Sequence, residues 1–169
     1  HPTDLGAMGP AVARLVREGV EYWGVGADYR FERADGGLRK ALGLRPGEGD
    51  VDTAGDMPLD MWPRAVATMG IGLAPLVDTE FNRAKSWLKP LEYMACGVPW
   101  VGSPRDEYVR LRNLTDVGAL AKGPQDWYRL VKQMVESRAM REHLSAAGRA
   151  AIVEHGLTYE SNGWARWAQ

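Results

Sequence analysis

Apolar positions along this chain alternate between two periods. Short continuous apolar runs at Val20–Gly24, Asp50–Ala54, Ile71–Pro75, Val98–Gly102 and Gly118–Ala121 read as strands. Between them the spacing is helical. Asp4–Glu18 has Thr3 or Asp4 as cap, Leu15 and Val16 turned inward and Gly19 as its stop. Arg33–Leu42, Leu59–Met69 and Pro104–Leu111 are further helical segments, and Leu44–Asp50 is a loop punctuated by Gly and Pro. From Pro124 the pattern is helical throughout: Gln125–Glu136, Ala139–Glu154 ended by Gly156, then Tyr159–Ala168. Trp127, Tyr128, Leu130, Val131, Met134 and Val135 give the first of these a buried side. Strands that alternate with helices predict an α/β domain, a parallel sheet with helices on both faces. Ligands of such sheets sit at the carboxyl ends of the strands.

The segment Phe81–Pro104, FNRAKSWLKPLEYMACGVPWVGSP, stands at such an end. Pro90 has no N–H and belongs in a first helical turn, which makes Ser86 the expected N-cap of a helix running to about Cys96, with Gly97 as its stop. Trp87, Leu88, Leu91, Met94 and Ala95 form the expected buried stripe. Lys85, Lys89 and Glu92 then share another face, within about 60° of one another. Arg83, Lys85 and Lys89 gather where the helix dipole is already positive, and cations are disfavoured there. Lys85 and Lys89 also form a like-charge i,i+4 pair, which costs roughly 0.2–0.5 kcal/mol. Cations beside free helix amides make an anion site, and phosphate is the common occupant. The plainer reading is a solvated face, with Lys89 and Glu92 as an i,i+3 ion pair and Glu80 and Asp78 neutralising Arg83.

NRAKSWLKPLEYMACGVPWVGS resembles the donor-binding signature of GT-B glycosyltransferases, the group-1 family of nucleotide-sugar enzymes. The likeness extends to HPTDL before a helix, VEYWGVG as a strand and turn, and a helix before IGLAPL. It implies a Rossmann-like parallel sheet forming the C-terminal, nucleotide-binding half of a GT-B enzyme. On that basis residues 1–169 are one nucleotide-sugar-binding domain truncated at its N-terminus. In the family another strand comes immediately before the position of His1, and an N-terminal acceptor domain precedes that.

The resemblance assigns Asn82, Lys85 and Ser86 to the loop and helix start that face the donor diphosphate, with Arg83 and Lys89 beside them. Glu92 matches the glutamate that accepts hydrogen bonds from the ribose hydroxyls. Gly24, in Gly24-Val25-Gly26, would border the nucleotide; its plain reading is a turn needing permissive backbone angles. Met57, in Gly55-Asp56-Met57-Pro58, would pack on the base; its plain reading is a filler of irregular gaps. Lys85, and Arg83 with it, would stabilise the charge on the departing nucleoside diphosphate. The implied enzyme is retaining and metal-independent, with a nucleotide diphosphate sugar as donor and no cofactor. Many family members carry a second glutamate eight residues before this one, where this chain has Ala84. That departure leaves the sugar contacts open.

Composition narrows the alternatives. A net charge of -1 gives no global argument for a nucleic acid polymer. No apolar run approaches the ~20 residues that span a bilayer. One cysteine, Cys96, excludes an intramolecular disulfide and favours a reducing, cytoplasmic setting. At the apolar end of a helix it reads as a packing residue. Three histidines, His1, His143 and His155, form no ligand cluster. A dinucleotide enzyme is excluded by the glycine motifs: Tyr29 stands where the third glycine of G-x-G-x-x-G belongs, and no GxxxxGK[ST] occurs. A non-catalytic nucleotide-sugar-binding or scaffold module remains the second reading. Trp164 and Trp167, at i,i+3 on the last helix, pack on the domain's own surface or form a contact to the missing domain.

Overall fold

The computed structural model describes residues 2–25, 37–54, 57–58 and 60–157. Gly26, Tyr29, the residues before Gly37 in the second predicted helix, and the last predicted helix with Trp164 and Trp167 lie outside them. Among the described residues the order is α1 (Pro2–Leu5), α2 (Gly9–Arg17), β1 (Tyr22–Val25), α3 (Gly37–Leu42), β2 (Val51–Ala54), α4 (Trp62–Ala67) and β3 (Gly72–Ala74). Then follow α5 (Glu80–Arg83), α6 (Leu88–Ala95), β4 (Trp100–Gly102), α7 (Asp106–Thr115), β5 (Ala119–Leu120), α8 (Pro124–Glu136) and α9 (Arg138–Glu154). The fold is mixed α/β with short parallel strands, compatible with a Rossmann-like arrangement.

The expected single sheet is divided. β1 pairs with β2, and β3, β4 and β5 form a second sheet in that order, every pair parallel. Several helices also begin later than the apolar pattern suggests, and proline is the common cause. Pro10 and Pro63 occupy the first turns of α2 and α4, because a proline ring clashes with the carbonyl four residues earlier. The first predicted helix is therefore two helices, α1 and α2.

The segment after β3 differs most. Thr79 caps a four-residue helix, α5, its Oγ1 accepting from the Asn82 amide at 3.2 Å. The signature helix α6 starts at Leu88 with Trp87 as cap, so Ser86 precedes the helix and caps nothing. Its buried side is Pro90, Tyr93 and Met94, an i, i+3, i+4 set. Leu88 and Ala95, expected in that stripe, are exposed. Gly97, at φ +70°, ends the helix as its position predicted.

Two apolar clusters share the three-stranded sheet. One gathers α2, α8, Leu42, Leu44 and Val101, and the other gathers Met94, Trp100, Tyr108, Leu111 and Ile152. Trp100 and Val101 are adjacent in β4 and fully buried, one in each cluster, as alternation across a strand requires. The Trp100 ring meets Tyr108 edge-on at 6.2 Å. A Cβ on Gly118, at φ +91°, would come within 2.1 Å of the same indole. We expect Gly118→Ala to destabilise the fold by at least the roughly 1–3 kcal/mol of strained backbone, read as a lower denaturant midpoint.

α2 and α8 are joined at the surface through Glu18. Its carboxylate receives the Lys132 ammonium at 2.6 Å, the Tyr128 hydroxyl at 2.9 Å and Arg14 at 3.0 Å. These contacts, Lys132 foremost, hold the Glu18 carboxyl down at about 2. Arg17 does the same for Glu48, also to about 2, from 2.5 Å. A depressed carboxyl pKa adds stability that is present above its ordinary value, 4.5, and is lost as pH falls through the folded-state value. The thermal midpoint should therefore drop between about pH 4.5 and 2, and drop less in Glu18→Gln; an equal drop in both would exclude Glu18 as a contributor.

Candidate functional site

The chain leaves β3 through Pro75, Leu76 and Val77, and the backbone groups there need partners. The Leu76 amide donates to the buried Ser103 hydroxyl at 2.9 Å, tying the ends of β3 and β4 together. The Val77 amide donates to Asp4 Oδ1 at 3.0 Å. Asn82 Nδ2 donates to the same oxygen at 2.6 Å and to the Val77 carbonyl at 3.0 Å. Lys85 Nζ completes the set, 3.2 Å from Asp4 Oδ2. Asp4 and Asn82 are each only 4% exposed, while the Lys85 side chain remains 32% exposed. One carboxylate from α1 thus fastens the loop after β3, the short helix α5 and the lysine that follows it.

Asp4 is the residue that the sequence pattern missed. There it reads as a helix cap, because nothing local to residues 1–19 shows a lysine arriving from 81 positions away. A buried carboxylate has to be paired and hydrogen-bonded, and the tertiary fold supplies the partners.

Lys85, Ser86, Lys89, Glu92 and Gly24 all border one cleft of about 1700 Å³. Lys85 and Ser86 reach it from the loop, and Lys89 and Glu92 from α6. The lysines do not share a single helix face as predicted, since α6 begins after Lys85. No ion pair joins Lys89 to Glu92 among the described residues, so the plain i,i+3 reading of that pair does not hold. The plain reading of Arg83 holds for Asp78 and not for Glu80. Its Nε lies 2.9 Å from Asp78 Oδ1, a contact that raises the arginine pKa and lowers that of the carboxyl. Arg105 approaches Asp78 from the other side at 3.7 Å. Neither arginine borders the cleft. Of the three cations in the signature, Lys89 alone has no carboxylate within ion-pairing distance among the described residues.

Gly24 and Met57 take unexpected positions. Gly24 lies inside β1 rather than in a turn, and a Cβ there would meet a Leu38 methyl at 2.6 Å. Its missing side chain serves the packing of α3 on β1. Met57 borders a small hollow of about 350 Å³ with Met61 and Arg64, which shares Ala65 and Thr68 with the main cleft; Met57 itself is not on the cleft wall. Asn82 is sealed in the Asp4 network and is absent from the cleft wall. Cys96 is partly buried, its thiol 3.6 Å from the Pro63 carbonyl, and burial raises its pKa.

Among the described residues no group of three or more His, Cys, Asp and Glu side chains could hold a metal ion. No helix among them is long and apolar enough to cross a membrane. No protein-family model matches the chain, and a search of curated proteins gives no match.

The geometry orders the effects of substitution. Asp4→Ala leaves the part-buried Val77 amide without its acceptor and takes one of two acceptors from the buried Asn82 amide group, and a group left unsatisfied costs roughly 1–3 kcal/mol. Lys85→Met leaves the Asp4 hydrogen bonds in place and removes a partner with access to water, so its cost should be smaller. Urea denaturation of both variants checks the order; a larger loss for Lys85→Met would displace Asp4 as the centre of the network.

Proposed function

We propose that this chain is the donor-binding domain of a glycosyltransferase, which transfers a sugar from a nucleotide diphosphate sugar to an acceptor. The observation that carries the reading is the common cleft wall of Lys85, Ser86, Lys89 and Glu92 beyond the carboxyl end of β3. In this reading Lys89 and Lys85 receive the diphosphate with the Ser86 hydroxyl beside them, and Glu92 accepts hydrogen bonds from the ribose hydroxyls. Lys85 acts from a fixed place because Asp4 holds its ammonium. Positive charge set in position before reaction lowers the energy of a leaving group that gains negative charge. The acceptor and its activating base belong to the missing N-terminal domain that the sequence resemblance implies.

The second reading is a non-catalytic nucleotide-sugar-binding or scaffold module. The pairing of Lys85 with Asp4 and of Arg83 with Asp78 favours it, because two of the three cations already have structural work.

Titration calorimetry separates the phosphate assignment from the rest. UDP or GDP should bind more tightly than UMP or GMP, and equal affinities would remove it. For the ribose assignment, Glu92→Gln should weaken nucleotide binding about tenfold or more, as loss of a charge-assisted hydrogen bond worth roughly 1.5–3 kcal/mol requires. Its thermal midpoint should stay within about a degree or two, because Glu92 has no ion pair among the described residues to lose. A 2′,3′-dideoxy nucleotide should bind the parent weakly and the variant equally weakly. If Glu92→Gln still prefers the ribose hydroxyls, the assignment of Glu92 fails.

A further inference from the structure

Tyr108, in the first turn of α7, is only 3% exposed and yet borders the cleft. The end of β4 fixes its place. Its ring lies over Gly102, where a Cβ would come within 3.0 Å of Tyr108 Cδ2, and it meets the Trp100 ring edge-on. Trp100 and Gly102 are two apart in β4 and share one face of the strand. The strand is therefore the floor on which the phenol ring rests, and the absent side chain of Gly102 makes room for it.

Buried tyrosines ordinarily give their O–H a hydrogen-bond partner. Tyr93, on the same cleft, donates to the Leu73 carbonyl at 3.1 Å. Tyr108 does not follow it: among the described residues no hydrogen bond reaches its hydroxyl. The sealed side-chain atoms without a partner there are Trp100 Nε1 and Arg105 Nε, and the Tyr108 oxygen is not one of them. That oxygen is open to the cleft rather than closed in the core. A polar group taken from bulk water without a partner costs free energy, and the cleft is where this one can be paired.

The surroundings of the oxygen select the partner. Burial, and after it the negative charge of Asp4, pushes the Tyr108 pKa up to about 12. The phenol stays protonated at neutral pH, and it can both donate and accept. A ligand hydroxyl has the same two capacities and can use both. A phosphate or carboxylate can only accept, and it would stand near the Asp4 carboxylate. Anionic groups have a better place at Lys85, Ser86 and Lys89, also on the cleft wall.

We propose that Tyr108 selects a neutral, hydroxyl-bearing sugar in the donor: its phenol exchanges a hydrogen bond with a hydroxyl of the transferred sugar beyond the carboxyl end of β4, where the Asp4 charge disfavours a sugar acid. This role rests on the reading of the cleft as a nucleotide-sugar site, in which Lys85 and Lys89 hold the diphosphate. The two places are neighbours in the sheet. β3 and β4 pair in parallel, and the Leu76 amide donates to the Ser103 hydroxyl across their ends. Paired strands stand about 4.8 Å apart, so a sugar bonded to phosphate beyond β3 reaches the turn beyond β4. Tyr108 lies outside the signature segment, which ends at Ser103, and the resemblance gives it no part. It supplies a sugar contact where Ala84, inside the segment, supplies none.

Titration calorimetry with paired probes tests the role. At least one of UDP-glucose, UDP-galactose and GDP-mannose should bind the parent more tightly than its free diphosphate, and the matching uronic acid conjugate should bind no more tightly than that diphosphate. Tyr108→Phe keeps the ring and its packing on β4. It should bind UDP or GDP as the parent does and lose the gain due to the sugar, about three- to tenfold, the size of one neutral hydrogen bond. Its thermal midpoint should not fall, because the hydroxyl has no partner in the fold to lose; a fall would show the phenol paired internally and overturn the proposal. A sugar gain kept in Tyr108→Phe, no sugar gain in the parent, or a uronic acid conjugate bound more tightly than its neutral counterpart would each overturn it while the diphosphate site stands. A parent that binds neither UDP nor GDP is the separate failure, that of the nucleotide-sugar reading, and Tyr108 loses its role with it.

Discussion

A carboxylate removed from water must be matched by donors, and Asp4 is matched three times: by the Val77 amide, by Asn82 and by Lys85. The wall of the cleft depends on that pairing. Without it the carboxylate of α1 no longer ties that helix to the loop beyond β3, Asn82 is a buried amide group with one partner fewer, and Lys85 is free to follow the solvent. The arrangement also sets the electrostatics of the cleft. Cationic charge that the sequence displays in excess is largely cancelled in the fold, by Asp4 for Lys85 and by Asp78 for Arg83. Of the signature residues, those that face the cleft are Lys89, with no ion pair among the described residues, Lys85, paired but with water access, the Ser86 hydroxyl and the Glu92 carboxylate.

The packing is organised by β4. Trp100 and Val101 send the two sides of β4 into separate clusters, and α2 and α8 close one of them over the strands. The β3–β4–β5 sheet is therefore covered on both faces. The cleft beside β1 and β3 has mixed walls: apolar side chains such as Val12, Leu15 and Val131 alternate with charged ones such as Glu21, Arg39, Asp52 and Arg141. Tyr93, a buried phenol, donates its hydroxyl to the Leu73 carbonyl of β3 at 3.1 Å.

Much of the fold was legible along the chain, because hydrophobic period and proline position act locally. Each of the five predicted strands exists: four are shortened by one or two residues at an end, and β1 starts two residues later and runs one residue further than predicted. Gly97 and Gly156 stop their helices where positive φ is needed, and Trp127, Val131 and Met134 form the buried side of α8. The start of α6 was misplaced because the Thr79 cap of α5 captures the preceding residues in a separate turn, and Ser86 is left between the two helices. The buried stripe of α6 then rotates onto Pro90, Tyr93 and Met94.

The candidate site was legible only as a cluster of residue types. Composition and spacing determined that Lys85, Ser86, Lys89 and Glu92 would gather beyond a strand, since a chain turning from strand to helix leaves neighbouring residues no other place. Which charges are free was decided by the tertiary structure. Ion pairing depends on distances of a few ångströms between residues far apart in the chain, and Asp4 and Lys85 meet only after the helices and strands have packed. The role of Gly24 was fixed the same way: sequence shows a missing side chain, and only packing shows that the Leu38 methyl lies where that side chain would be.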